Sequence, residues 1–219
     1  MQEFVVVTGL IIKSVPVGDY DRRITILTKE RGKIGAFAKG TRRPNSRLAA
    51  ATNPFSFGEF KLYEGRSAYN LMEADISNYF KELRENFEAA FFGMYFLEVA
   101  DYYTRENNDE KQMLKLLYQS LKALLIPSLK MELVQYIFEM KTLVVNGEFP
   151  GPLRREELLS DTVYAIEYVT NSTIEKLYTF TLSEPVFAEF ERAAAEYRER
   201  YIGRNFKSLE ILQNCRLKK

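Results

Sequence analysis

The hydrophobic period of this chain changes once, near residue 80, and that change limits the folds open to it. Up to Tyr79 apolar residues tend to recur at every second position, whereas from Phe80 onward they recur every three or four. Five strand-like segments precede the change, at residues 3–15, 22–28, 32–39, 55–63 and 69–77. Turn formers separate them: Pro16, Gly18 and Asp19, then Arg31-Gly32, residues 40–46, and Glu64-Gly65. Residues 47–51 (RLAAA) read as a short helical insert between the third and fourth strands. Five short strands in residues 1–80 suit a small closed barrel, because closure hides strand edges in a sheet of this size.

After the change the pattern is helical. Leu83, Phe87, Phe91, Met94 and Glu98 share one stripe, which predicts a helix over residues 81–104. Asn108-Asp109 starts the next helix and Pro127 stops it. Ser128 is expected to cap a third, in which Leu129, Leu133, Tyr136, Met140 and Leu143 recur, and Asn146-Gly147 ends it with a left-handed cap. Residues 147–161 hold two prolines and two glycines and read as an irregular connection. Helices are expected over residues 161–168, 173–180, 185–201 and 205–217. A chain of 219 residues allows one large domain or two small ones. The reading is therefore α+β, with a barrel domain at 1–80 and an all-α domain at 81–219.

Missing residue types exclude several chemistries. There is no His, which removes the usual general base and the commonest metal ligand. Cys215 is the only cysteine, so a disulfide within the chain or a thiolate metal cluster cannot form. A single thiol suits a reducing, cytoplasmic compartment. The apolar N-terminal stretch has no basic region before it and is broken by Thr8, Gly9 and Lys13, so it reads as a strand. No run approaches the roughly 18 apolar residues of a membrane span. Gly35 and Gly40 have the glycine spacing of a phosphate-binding P-loop, but Thr41 stands where its lysine belongs. Carboxylate chemistry by Glu156, Glu157 and Asp161 is outweighed by their reading as a solvated loop. No enzyme activity and no cofactor are expected.

Charge is more informative. The net charge is only +1, but residues 22–47 carry nine Lys or Arg against Glu30 alone. On the strand from Lys33 to Lys39, Ile34, Ala36 and Ala38 alternate with Lys33, Gly35, Phe37 and Lys39. The first set suits a barrel interior. The second offers ammonium groups for phosphates and a ring on which a base could stack. The strand runs into a loop carrying Arg42, Arg43 and Arg47, whose charges cannot be buried there. On charge alone, a nucleic-acid surface and a protein-protein patch both remain open.

Ordered motifs narrow the choice. GDYDRRI at residues 18–24, TKERGKI at 28–34 and AKGTRRP at 38–44 resemble the N-terminal domain of the bacterial recombination mediator family RecO. So do Ser46-Arg47-Leu48, Pro54-Phe55 and Gly58-Glu59-Phe60, and GRNFKSL at 203–209 is similar to that family's closing motif. The resemblance runs end to end, dense over residues 1–80 and sparse through the helices. It implies a five-stranded OB-fold barrel followed by a helical domain, and a nucleoid-associated protein without enzyme activity. It also implies binding of single- and double-stranded DNA, strand annealing, and contact with RecR and the tail of the single-stranded-DNA-binding protein. Through these the family helps load the recombinase RecA in DNA repair. Basic positions matching the family place DNA contact at Lys33, Lys39, Arg42, Arg43 and Arg47, while Phe37 follows from alternation alone. Arg204 and Lys207, with Arg216, Lys218 and Lys219, are candidates for an acidic partner tail. An OB-fold RNA-binding module and a pure protein adaptor are the alternatives. One departure is clear: many family members carry four zinc-binding cysteines after the helix that here ends at Gly147, and residues 147–161 contain none. No zinc site of that kind can be built here.

Overall fold

The computed structural model describes residues 4–65 and 68–216, with the side chains of residues 215 and 216 left aside. Its architecture is α+β, a closed five-stranded barrel followed by seven helices among the described residues. The strands are β1 (Phe4–Val17), β2 (Asp21–Thr28), β3 (Gly32–Ala38), β4 (Phe57–Glu64) and β5 (Tyr69–Asn78), closing in the order β1-β2-β3-β5-β4. All pairings are antiparallel except the short β3–β5 contact, where Ala36 faces Tyr69 and Phe37 faces Asn70. Closure depends on β1, which pairs with β4 through residues 4–10 and with β2 through residues 9–17. The ladders overlap at Gly9, where a Cβ would lie 2.5 Å from the Leu27 carbonyl oxygen; only glycine fits so close an approach. Val7, Ile11, Ile24, Ile26, Ile34, Ala36, Ala38, Phe60 and Leu62 fill the interior. The small Ala36 and Ala38 let a barrel this narrow close without overpacking.

Residues 47–51 are not a helix. Between β3 and β4 the chain makes successive turns, with bonds from Ala49 N to Ser46 O, Thr52 N to Leu48 O and Asn53 N to Ala50 O. The Arg22 guanidinium fixes this insert, donating to Ala49 O (3.2 Å), Thr52 Oγ1 (3.1 Å) and Asn53 Oδ1 (2.7 Å). Alanine-rich sequence favours helix, but three acceptors converging on one cation hold the segment in turns instead.

Two compact units emerge: residues 1–82 with 97–114, and residues 83–96 with 115–219. In the first, residues 105–107 line the edge of β3, with Lys33 N donating to Arg105 O (3.0 Å) and Asn107 N to Arg31 O (3.1 Å). Gly32 permits this. Its φ is +64°, and a Cβ there would lie 2.4 Å from Arg105 O.

The helix expected over residues 81–104 is broken into α1 (Lys81–Glu85) and α2 (Phe87–Tyr103). Asn86 makes the break: its side-chain oxygen accepts from Ala89 N at 3.0 Å, an N-cap inside an otherwise continuous stripe. Then come α3 (Lys111–Ala123), α4 (Met131–Val145), α5 (Ser160–Asn171), α6 (Glu184–Tyr197) and α7 (Lys207–Arg216). Ser128 does not cap α4, which starts after Lys130. The expected left-handed ending is present: Gly147 has φ +72° and Glu148 N donates to Leu143 O at 2.8 Å. Residues 173–180 form only a single 3-10 turn, Ile174–Lys176. Beyond α6 the chain widens into a π turn, Arg198–Ile202, closed by Gly203 N donating to Arg198 O at 2.9 Å. No helix among the described residues is long and apolar enough to cross a membrane.

Charged side chains organise the second unit. Glu139 of α4 is fully buried and accepts from Tyr95 Oη (2.7 Å), Gln135 Nε2 (2.7 Å) and Arg198 (3.2 and 3.3 Å). A buried carboxylate survives only when paired and saturated in this way. Helix α5 is held at both ends. Glu189 accepts from Leu159 N (2.9 Å) and Thr162 Oγ1 (2.7 Å) at its start, while Lys141 donates to Thr170 O (2.8 Å) and Ser172 O (2.7 Å) at its finish. Both charges oppose the helix dipole.

The connection that lacks the family's cysteines is fastened by Tyr197. Its hydroxyl accepts from Leu153 N and donates to Gly151 O, both at 2.8 Å, and Phe149 packs on its ring at 5.1 Å between centroids. Burial raises the phenol's pKa, so it stays protonated and able to donate.

Tyr197→Phe should destabilise the protein by about 1–3 kcal/mol, because both loop groups lose a buried partner. Denaturant unfolding measures that loss, and limited proteolysis should cut within residues 149–158 sooner. A chelator, by contrast, should leave the melting curve unchanged, and elemental analysis should find no stoichiometric zinc. The Thr162 and Leu159 bonds hold Glu189 below the ordinary glutamate range. Its contribution is therefore complete above that range and lost as pH falls through the folded value. Protection factors in the first turn of α5, corrected for intrinsic exchange, should fall as pH drops below the ordinary glutamate range, and Glu189→Gln should flatten that dependence.

Candidate nucleic-acid interface

Strand β3 alternates as its sequence requires. Ile34, Ala36 and Ala38 are buried, whereas Lys33, Gly35 and Phe37 lie outward and are partly exposed. Across the β2 ladder, Arg23 stands opposite Phe37, Thr25 opposite Gly35 and Leu27 opposite Lys33. Gly35 leaves the middle of this face open, since a Cβ there would meet only the Arg23 guanidinium, at 4.0 Å. Below it lies a groove of about 650 Å³, lined by Lys13, Val15, Arg23, Lys33, Gly35 and Arg105 among others.

The groove's charge is partly cancelled. Lys33 Nζ donates to Asp101 Oδ1 at 3.0 Å and to its carbonyl oxygen at 2.5 Å, and Lys13 lies 3.8 Å from the same carboxylate. Asp101, in the last turns of α2, belongs to the same compact unit. Nothing in the spacing of the basic segment could have revealed this partner, 68 residues away. Two further cations of the segment are also engaged: Arg22 in the insert, and Arg31 with Tyr69 Oη (2.7 Å) and Glu64 (3.5 Å).

Lys39, Arg42, Arg43 and Arg47 follow β3 and are all exposed. Lys33 and Lys39 are six residues apart along an extended strand, roughly 20 Å, so the candidates form a row rather than a cluster. The loop bearing the arginines is clipped to the turn between β1 and β2. Gly40 N donates to Asp21 Oδ1 (2.8 Å), Arg42 N to Tyr20 O (2.9 Å), and Arg42 Nη1 to Gly18 O (3.0 Å). The Arg43 guanidinium sits over the Tyr20 ring, 5.1 Å from its centroid. Tyr20 is half exposed, and strand alternation did not single it out because it lies in a turn.

In the helical unit, Arg204 and Lys207 are both exposed. Arg204 lines a cleft of about 420 Å³ with Arg198, Phe206 and Leu209, and its guanidinium lies 5.9 Å from the Phe206 ring centroid. Glu199 and Glu210 line the same cleft, and Lys207 does not. Lys218 and Lys219 lie outside the described residues, as does the Arg216 side chain. Among the described residues, no group of three or more Cys, Asp or Glu is placed to hold a metal ion.

The family model described as Recombination protein O N terminal matches residues 1–80, and that described as Recombination protein O C terminal matches residues 84–151. DNA repair protein RecO of Acetivibrio thermocellus is 25% identical to this chain over 238 aligned residues, covering 94% of the chain and 95% of the relative. That of Clostridium perfringens is 25% identical, covering 94% and 96%. That of Bacillus subtilis is 29% identical over 142 residues, covering 65% of this chain and 55% of its own length. Both family models fall in order on a five-stranded barrel and the helices that follow it, and the chain belongs to the recombination protein O (RecO) family of DNA repair proteins.

Proposed function

We propose that this protein is a DNA-binding recombination mediator that acts without enzyme chemistry. It binds single- and double-stranded DNA through a 1–80 barrel domain and anneals complementary strands. Through an 81–219 helical domain, with Arg204 and Lys207 near the contact, it engages the tail of the single-stranded-DNA-binding protein. With RecR it then helps load RecA onto gaps coated by that protein. One observation carries the reading: Lys39, Arg42, Arg43 and Arg47 stand exposed along a segment clipped to the barrel, in a chain of a DNA repair family.

The physics of annealing fits that segment. Two strands repel through their phosphates, and a row of fixed cations lowers the barrier by releasing condensed counterions. Clipping the loop in advance reduces the ordering cost of binding. Contacts to phosphates carry no base information, and Phe37 offers only a ring face, so little sequence preference is expected. Lys33 contributes less than its position on the strand implies, because Asp101 already offsets its charge.

Replacing Arg42, Arg43 and Arg47 together with Ala should leave the fold intact and lower the salt slope of single-strand binding by about 2, at about 0.7 per residue. Affinity should fall by similar factors for unrelated sequences. Lys39→Ala should behave like one member of that set, whereas Lys33→Ala should barely change the slope. Fluorescence anisotropy across a salt series, on two single strands and one duplex, measures all of these. An unchanged slope in a folded triple variant would put the DNA elsewhere. Arg22→Ala separates structure from contact: it should cost about 1–3 kcal/mol of stability, by leaving three insert acceptors without their donor.

A further inference from the structure

The β1–β2 turn carries an aromatic ring where two of the exposed cations, Arg42 and Arg43, meet it. Tyr20 is half exposed although it is a large aromatic. Its backbone carbonyl is bonded to Arg42 N, the neighbouring Gly18 carbonyl to Arg42 Nη1, and Asp21 Oδ1 to Gly40 N. Three bonds thus fix the turn against the arginine loop, and none of them uses the Tyr20 hydroxyl. The Arg43 guanidinium lies over the ring, 5.1 Å from its centroid. A ring held this way has one face backed by a cation and further area open to solvent. Phe37, the aromatic that alternation points to, is less exposed and lies within the sheet, paired in register with Arg23 and Asn70.

We propose that Tyr20 is a stacking platform for an unpaired nucleobase, completed by Arg43. The inference rests on the DNA-binding reading above and deepens it. A flat π-face backed by a guanidinium accepts any base by stacking, without reading its edge. Arg42, Arg43 and Lys39 beside it would take the flanking phosphates. The chemical class of ligand is therefore a single strand with accessible bases. A duplex, whose bases are stacked on each other, engages only the cations. Discrimination between single strand and duplex then rests mainly on this turn residue, with the less exposed Phe37 a lesser contributor, while the cations serve both forms alike.

Because the bonds that hold the turn come from the backbone and from other side chains, Tyr20 can be changed without dismantling it. Tyr20→Leu should weaken binding of a single strand by about 5-fold or more, with the salt slope unchanged. Binding of an abasic strand of equal length, and of a duplex, should stay within about 2-fold of the parent protein. Tyr20→Phe should bind as the parent does, since the ring and not the hydroxyl makes the contact. The chain has no Trp, so Tyr20→Trp supplies a single reporter, whose fluorescence should be quenched by an oligothymidylate strand and not by the abasic strand. The proposal is overturned if folded Tyr20→Leu binds the single strand as the parent does, or if the Trp at this position is not quenched while anisotropy reports binding. If the parent protein binds none of the three probes, the DNA-binding reading falls with it, so the two failures are distinguishable.

Discussion

Every strand of a closed barrel serves two ladders, and β1 does so by dividing its 14 residues between two neighbours. Its first half pairs with β4 and its second half with β2, and the exchange occurs at Gly9, where the Leu27 carbonyl leaves no room for a side chain. The consequences extend to the candidate interface. The second half of β1 and the first half of β2 run together to the Gly18–Tyr20 turn, which meets the loop leaving β3. The arginine loop and the exposed ring are therefore brought together by the way the barrel closes. A change at Gly9 would disturb both ladders at once.

Cations of one short segment have divided roles. Arg22 holds the β3–β4 insert in turns, Arg31 ties β3's start to Tyr69 and Glu64, and Lys33 is bonded to Asp101. Each gains partners that a phosphate would have to displace. Lys39, Arg42, Arg43 and Arg47 keep their charge toward solvent, and Arg42 does so while bonding a neutral carbonyl, which does not cancel it. The field available to a polyanion is therefore smaller than the local excess of charge suggests, and it lies toward the C-terminal end of β3. The same partition separates residues whose loss should unfold the insert from residues whose loss should weaken binding.

The helical unit meets a different constraint. Its connection after α4 lacks the cysteines that a zinc ion would gather, and a tyrosine hydroxyl does the gathering through one donated and one accepted bond. The residue that follows it, Arg198, reaches the buried Glu139. One end of α6 thus secures both the loop and the buried carboxylate of α4. Directional bonds to backbone fix loop geometry as ligand bonds would, but they are individually weaker and leave no metal dependence.

How much of this was legible in the sequence follows from the range of each interaction. Alternation and helical periodicity are local, and they place all five strands within about two residues. They also give the outward Lys33, Gly35 and Phe37 and the left-handed end of α4. Local signals fail where a distant or competing partner decides. The RLAAA segment has helical propensity, yet Arg22 holds it in turns; Asn86 lies between Leu83 and Phe87 of one helical stripe, yet its side chain caps a new helix. The motifs of residues 18–60 were enough to identify the family, because motif order is written along the chain. Which cations remain available, which aromatic stands beside them and what fastens the cysteine-free connection were decided by tertiary structure alone. Asp101 reaches Lys33, Arg43 reaches Tyr20 and Tyr197 reaches Gly151 across separations of 68, 23 and 46 residues, and no pattern of period 2 or 3.6 encodes a contact of that range.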